Sequence, residues 1–367
     1  MITRGDKQTQ TAGDGSQQLQ ATNMVVNMGI DEKRAREICQ EMTLQLRQDY
    51  SEEALKIAKM RVIEFENKLM PKMEAVEGAL EIFADPSFQL LLVEAQKTAA
   101  ASERPADYDL LAELLVHRFE KGENRIARAG INRAVEIVDK ISDDALLGLT
   151  AFHVLTSFIP SSQGILQALN ILNNLFDKII YDTLPTGKDW LDHLDILDTI
   201  RINPIGVLYK IEEFYPKILS EQIDIGIEKN SQNHNDALNL LKGAQIPIDI
   251  LVDHELNNNF VRINLPNKES IDNLKIKQPV LYNQNLLTPL SNQQKNTILS
   301  IYDLYNNDSN IKQQNISAFM IEWDKFSNLK TLRYWWDNIS ISFNLTSAGT
   351  VLAHSNAQRC YKDLPNI

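Results

Sequence analysis

LKIAKMRVIEFENKLMPKMEAVEGALEIF, residues 55–83, is the most regular stretch of this 367-residue chain, and its reading decides the fold class. Leu55, Ala58, Val62, Phe65, Leu69, Met73, Val76, Leu80 and Phe83 recur at spacings that alternate three and four, except from Leu69 to Met73 beside Pro71. An apolar stripe with that period belongs to an α-helix that buries one face against another helix. Pro71 removes a backbone donor and predicts a kink or an interruption. Upstream, Ser51 offers an N-cap, and Glu52 and Glu53 place negative charge where the helix dipole favours it. The stripe suits either a hairpin within the chain or a coiled coil between chains.

Helical patterns continue on both sides. Ile38, Met42 and Leu46 recur every fourth residue after Asp31. Asp85-Pro86 is a helix start, with the proline at the first helical position. Further helices are expected in DYDLLAELLVHRFEKG, ENRIARAGINRAVEIVDKI, DDALLGLTAFHVLTSFI (capped by Ser142), GILQALNILNNLFDKII and IGVLYKIEEFYPKIL. Their short connections predict antiparallel neighbours. The longest apolar run, Ala145 to Ile159, falls short of the roughly 20 residues that span a bilayer and stops at Pro160, so a buried helix is expected and no constitutive membrane insertion.

After about residue 220 asparagine becomes dense. NNNFVRINLP reads as a strand, LSNQQKNTILSIYDLY as a helix capped by Ser291, and WDKFSNLKTLRYWWDNI as one helix carrying three tryptophans. Ile339, Ile341 and Phe343 alternate as in a strand, and Thr346 caps a last helix. The expected class is therefore mainly α, in three parts. Residues 1–30 form a short β segment for assembly, 31–222 a multi-helix bundle, and 223–367 a smaller α/β domain.

The opening segment is read from its two-residue alternation between Leu19 and Met28. A single strand leaves its backbone hydrogen bonds unmet, so it needs a partner edge. Stacked copies would place Leu19, Gln20, Met24, Val25 and Val26 in contact, with glutamine and asparagine ladders beside them. A homo-oligomer is the expected state.

Chemistry is harder to find. The net charge of -12 argues against a general nucleic-acid binder, which needs clustered cations. Cys39 and Cys360 match no zinc spacing or disulfide framework, and the first 15 residues hold no apolar leader, so a cytoplasmic protein is expected. No phosphate-binding or dinucleotide-binding glycine motif is present, and no cofactor is expected. Asp192, Asp195 and Asp198 recur at three-residue spacing. They could share a divalent metal in a hydrolase, or form the solvated face of an amphipathic helix.

Taken in order, GDGSQQLQATNMVVNMGI, ADPSFQLLLVEAQKTAA, LLAELLVHRFE and LRYWWDNISISFNLTSAGTVLAHSNAQR resemble a family of bacterial proteins known by locus tags. Its closing signature, L-T-x-x-G-x-x-x-A-x-x-N, falls on Leu345, Thr346, Gly349, Ala353 and Asn356. The family is similar to proteins of mobile elements and defence loci. The Gln18-Leu19-Gln20 segment resembles the glutamine-centred motifs of amyloid signalling, and the L-T-x-x-G element resembles the strand-to-helix closure of winged-helix domains. With the assembly segment, the expected function is a self-assembling, non-enzymatic effector or scaffold; the resemblance implies a setting in anti-phage defence, with a protein partner. The alternatives are a metal-dependent hydrolase on the 189–198 helix, or a membrane-perturbing effector that exposes residues 145–180.

Overall fold

The helix that carries the apolar stripe, α2 (Glu52–Glu74), begins where the sequence places it: Ser51 takes up extended backbone and its hydroxyl accepts the Ala54 N–H. Pro71 lies inside its last turn. The stripe outlasts the helix by passing into a 3-10 turn (Ala79–Ala84), entered at Gly78 with φ 75°. Ala58, Val62, Phe65, Leu69, Met73 and Phe83 are all buried, so the stripe faces this chain's own interior. The computed structural model describes residues 30–43, 50–122, 124–266, 268–280 and 284–366. The assembly strand proposed for Leu19, Gln20, Met24, Val25 and Val26 lies outside the described residues.

Around α2 pack α1 (Glu32–Thr43), α3 (Pro86–Ala101) and α4 (Pro105–Glu120). The Asp85 carboxylate caps α3 through the Phe88 N–H at 2.9 Å. Beyond lie α5 (Arg125–Ile137), α6 (Asp143–Ser157), α7 (Ile165–Ile179) and α8 (Asp189–Ile196). Helix α6 is the expected buried helix, with Ala145 to Leu155 all buried. Ser142 stands at its N-cap position without a side-chain capping bond, and donates its N–H to Nε2 of His193 instead. Among the described residues no helix is long and apolar enough to cross a membrane.

The chain then departs from an all-helical plan. A strand, β1 (Ile200–Asn203), precedes α9 (Ile211–Ile218) and α10 (Ser220–Ile223). Next come β2 (Ile227–Glu228), α11 (Gln232–Gly243), β3 (Leu251–Asp253), β4 (Phe260–Ile263), β5 (Lys275–Val280), β6 (Gln284–Pro289) and α12 (Asn292–Tyr302). Strands β2, β4 and β3 form one antiparallel sheet in that order, and β5 pairs with β6. Ser291 and Gln294 close a capping box at the start of α12. This stretch has its own apolar core, running from Ile227 to Ile301.

After this second core the chain returns to the first. The closing elements are α13 (Ser309–Asp324), α14 (Ser327–Asp337), β7 (Ser342–Leu345) and α15 (Ser347–Cys360). Their buried Phe319, Trp323, Leu332, Trp336, Leu352 and Ala357 belong to the same cluster as Phe65 and Leu115. The single tryptophan-rich helix expected from sequence is two helices, with Phe326 in extended backbone as the cap of the second. Each indole bonds a carbonyl: Trp323 to Leu329 at 2.7 Å, Trp335 to Pro185 at 2.9 Å and Trp336 to Tyr209 at 2.8 Å. The architecture is mainly α with a few small antiparallel sheets.

Candidate ligand site around the C-terminal helix

Strand β7 pairs antiparallel with β1, setting Leu345 opposite Ile200, and the chain turns directly into α15. Thr346 makes that turn. Its hydroxyl accepts the Gly349 N–H at 3.1 Å and donates to the Asp198 carbonyl at 2.6 Å, with a second approach to the Thr199 carbonyl at 3.1 Å. Gly349 is required by the same contact, since a Cβ there would lie 1.9 Å from the Thr199 carbonyl oxygen. On the next helix Gly130 allows α5 to approach, as a Cβ at that position would stand 3.0 Å from Ser347. Ala353, fully buried, continues this close-packed face. The signature residues thus seat α15 in the centre of the bundle against α4, α5 and α6. Asn356 does more than pack.

One side of α15 carries a buried histidine cluster. His354 meets His153 of α6, Nδ1 to Nε2 at 3.4 Å, and its ring stacks on His117 of α4 with centroids 5.4 Å apart. The neutral tautomer of His117 follows from its partners. Gln358 donates its amide to the Leu364 carbonyl and to Asn366, so its carbonyl oxygen faces Nε2 of His117 at 2.7 Å and can only accept. Nδ1 of His117 therefore accepts from the Ser355 hydroxyl at 2.8 Å. Burial lowers all three rings: His153 falls to about 4, and His354, with the other two rings and Lys121 adding to the effect, to about 3. Nε2 of His354 is buried with no hydrogen-bond partner.

The other side of α15 opens on a cavity of about 540 Å³ lined by Asp107, Asp143, Lys178, Tyr181, Asn356 and Arg359, among others. Asn356, fully buried, donates Nδ2 to the Thr150 hydroxyl at 2.9 Å and accepts Nε of Arg359 at 2.9 Å. The Arg359 guanidinium also lies 5.5 Å from the Tyr181 ring centroid. Burial raises the Tyr181 phenol and the Cys360 thiol above their ordinary values. Asp107 is buried beside the Ser102 hydroxyl and Arg104, and burial still moves its carboxyl upward. A second, more apolar groove of about 480 Å³ shares Lys178 with this cavity.

Of the residues singled out from sequence, Leu345, Thr346, Gly349, Ala353 and Asn356 are brought together along β7 and α15. Asp192, Asp195 and Asp198 are not. Helix α8 ends at Ile196, and Asp198 lies beyond it at φ 62°, paired with Arg133 at 3.3 Å and Arg201 at 3.0 Å. Among the described residues no group of three or more His, Cys, Asp or Glu side chains is placed to hold a metal ion. Sequence reading missed His117, His153 and His354 as a cluster, and missed Arg359, Tyr181 and Lys178 as cavity residues. Only the Asn356-to-Arg359 spacing, one helical turn, was visible.

One family model, described only as “:-like”, matches residues 29–365. The chain belongs to that family. The match takes in every element from α1 to α15, while residues 1–28 precede it. None of the curated proteins matches the chain, and none of the solved structures does.

Proposed function

We propose that this is a self-assembling, non-enzymatic effector or scaffold whose copies associate through the N-terminal segment and the helix pair that follows it. What supports the reading is the outer face of α2. Ile57, Met60 and Ile63, one turn apart, are 49%, 60% and 55% exposed, opposite the face that is buried in the chain's own core. A row of large apolar side chains left in water costs free energy that a second copy can recover. The row lies on the second helix after the alternating segment from Leu19 to Met28. A role in bacterial anti-phage defence rests on the sequence resemblance alone, and a protein partner belongs with it.

Light scattering tests the assembly. The full chain is expected to be an oligomer. A form lacking residues 1–29, Leu19→Asp, Val25→Asp and Met60→Asp are each expected to give a smaller mass with the helical circular dichroism at 222 nm unchanged. Equal masses for all five would defeat the proposal.

A further inference from the structure

We propose that the two cavities sharing Lys178 form one site for an amphipathic anion. The carboxylate or phosphate headgroup would sit on Arg359 and Lys178, and the apolar chain would lie in the neighbouring groove. Arg359 is a cation in the polar lining of the first cavity. No carboxylate is within ion-pair reach of it among the described residues; its partners are the side chain of Asn356 and the face of Tyr181. Asn356 is itself fixed by Thr150 in the core, so Nε is anchored and the plane of the guanidinium is set. The two remaining nitrogens present the fork that matches two oxygens of a carboxylate or phosphate.

The acidic residues of the same cavity do not cancel this charge. Arg104 already answers Asp107 at 3.0 Å and Asp143 at 2.7 Å. Asp182 is exposed, and its carboxylate accepts the Thr183 N–H. Lys178 has Asp177 at 3.1 Å, with both side chains 57% exposed, and a pair so hydrated is weakly held.

The second groove defines the rest of the ligand. Phe158, Ile171, Leu172, Leu175, Tyr361 and Leu364 give it apolar walls, with Lys178 as its cationic member. An anion without a tail would leave that surface wet, and a neutral hydrocarbon would leave Arg359 unanswered. The predicted ligand therefore has both features.

The test is calorimetric titration of the full chain, below micelle-forming concentrations, with decanoate, decyl phosphate and acetate. Either ten-carbon ligand is expected to saturate one site per chain, and whichever binds more tightly identifies the headgroup. Acetate should bind more weakly by at least on the order of 100-fold, since each buried methylene is worth about fourfold in affinity. Arg359→Gln and Ile171→Asp are each expected to weaken the preferred ligand at least tenfold. Ile171 is partly exposed, so its variant keeps the test decisive should Arg359→Gln fail to fold. The proposal is overturned if neither ten-carbon ligand binds, if acetate binds as well as they do, or if the folded variants bind like the parent chain.

Discussion

Acid should loosen the helical core through the histidines around α15. An unfolded-chain histidine titrates near 6.5, whereas His153 and His354 are pushed down to about 4 and about 3 in the fold. As pH falls below 6.5 the unfolded chain takes up protons that the folded chain refuses, so stability is lost on acidification. Between pH 7 and pH 5 each ring shifts the balance by about 2 kcal/mol toward the unfolded chain. The two together approach about 4 kcal/mol, a large part of the 5–15 kcal/mol that holds a typical domain. Glu113 and Glu120 act on His117 in the opposite sense, and Lys121 with the desolvation of the rings. The buried carboxyls of Glu66 and Asp107 and the half-buried one of Glu221 are raised by desolvation, so they add stability to the fold as pH falls. The histidine contribution is therefore isolated by difference. Urea unfolding followed at 222 nm, at pH 7 and pH 5, is compared between the parent chain and His354→Leu. The parent is expected to lose about 2 kcal/mol more than the variant between the two pH values. Equal losses in the two proteins would refute the reasoning, because His354 would then be free to protonate in place.

Three further outcomes are expected. Gly349→Ala drives a methyl group into the Thr199 carbonyl and should cost more than about 3 kcal/mol, measured as a fall in the urea midpoint; a midpoint near the parent's would mean that α15 can slide past β1. Thr346→Val keeps the shape but removes the cap and the hydroxyl bond to Asp198, and should cost about 1–2 kcal/mol in the same assay. Glu255, from the loop between β3 and β4, accepts the Ile165 and Leu166 N–H groups at the start of α7, at 2.5 Å and 3.2 Å. Glu255→Ala should cost about 1 kcal/mol and speed hydrogen exchange at those two amides, while amides in α4 keep their protection.

What could be read in the sequence was mostly local. The α2 stripe, the caps at Ser51, Asp85, Ser291 and Thr346, and the strand at Phe260–Ile263 each depend on a few adjacent residues. The same signal misled at Phe326, where the apolar period ran on across a break in the backbone. It misled again at Asp198, where three-residue spacing outlived the helix. Strand β1 escaped because four residues, Ile200 to Asn203, carry too little alternation to be distinguished from a helix end. The site escaped for a different reason. His117 and His354, or Thr150 and Asn356, are more than 200 positions apart, and their meeting is a property of how α15 docks. The signature residues marked the right helix because small residues and a cap are written locally, even though the partners they serve are not.

The docking of α15 also has a consequence for synthesis. Helices α4, α5 and α6 bury their facing sides against the segment Ser347–Cys360, which leaves the ribosome after them by some 200 residues. Until it arrives, the sides of α4, α5 and α6 that it covers, with His117 and His153 among them, lack that partner. Residues 227–301, with a core of their own, are positioned to fold meanwhile. A chain cut short before Ser347 would expose apolar surface for proteases and chaperones to recognise. Closing the first core therefore waits on residues translated some 200 positions after the helices they cover.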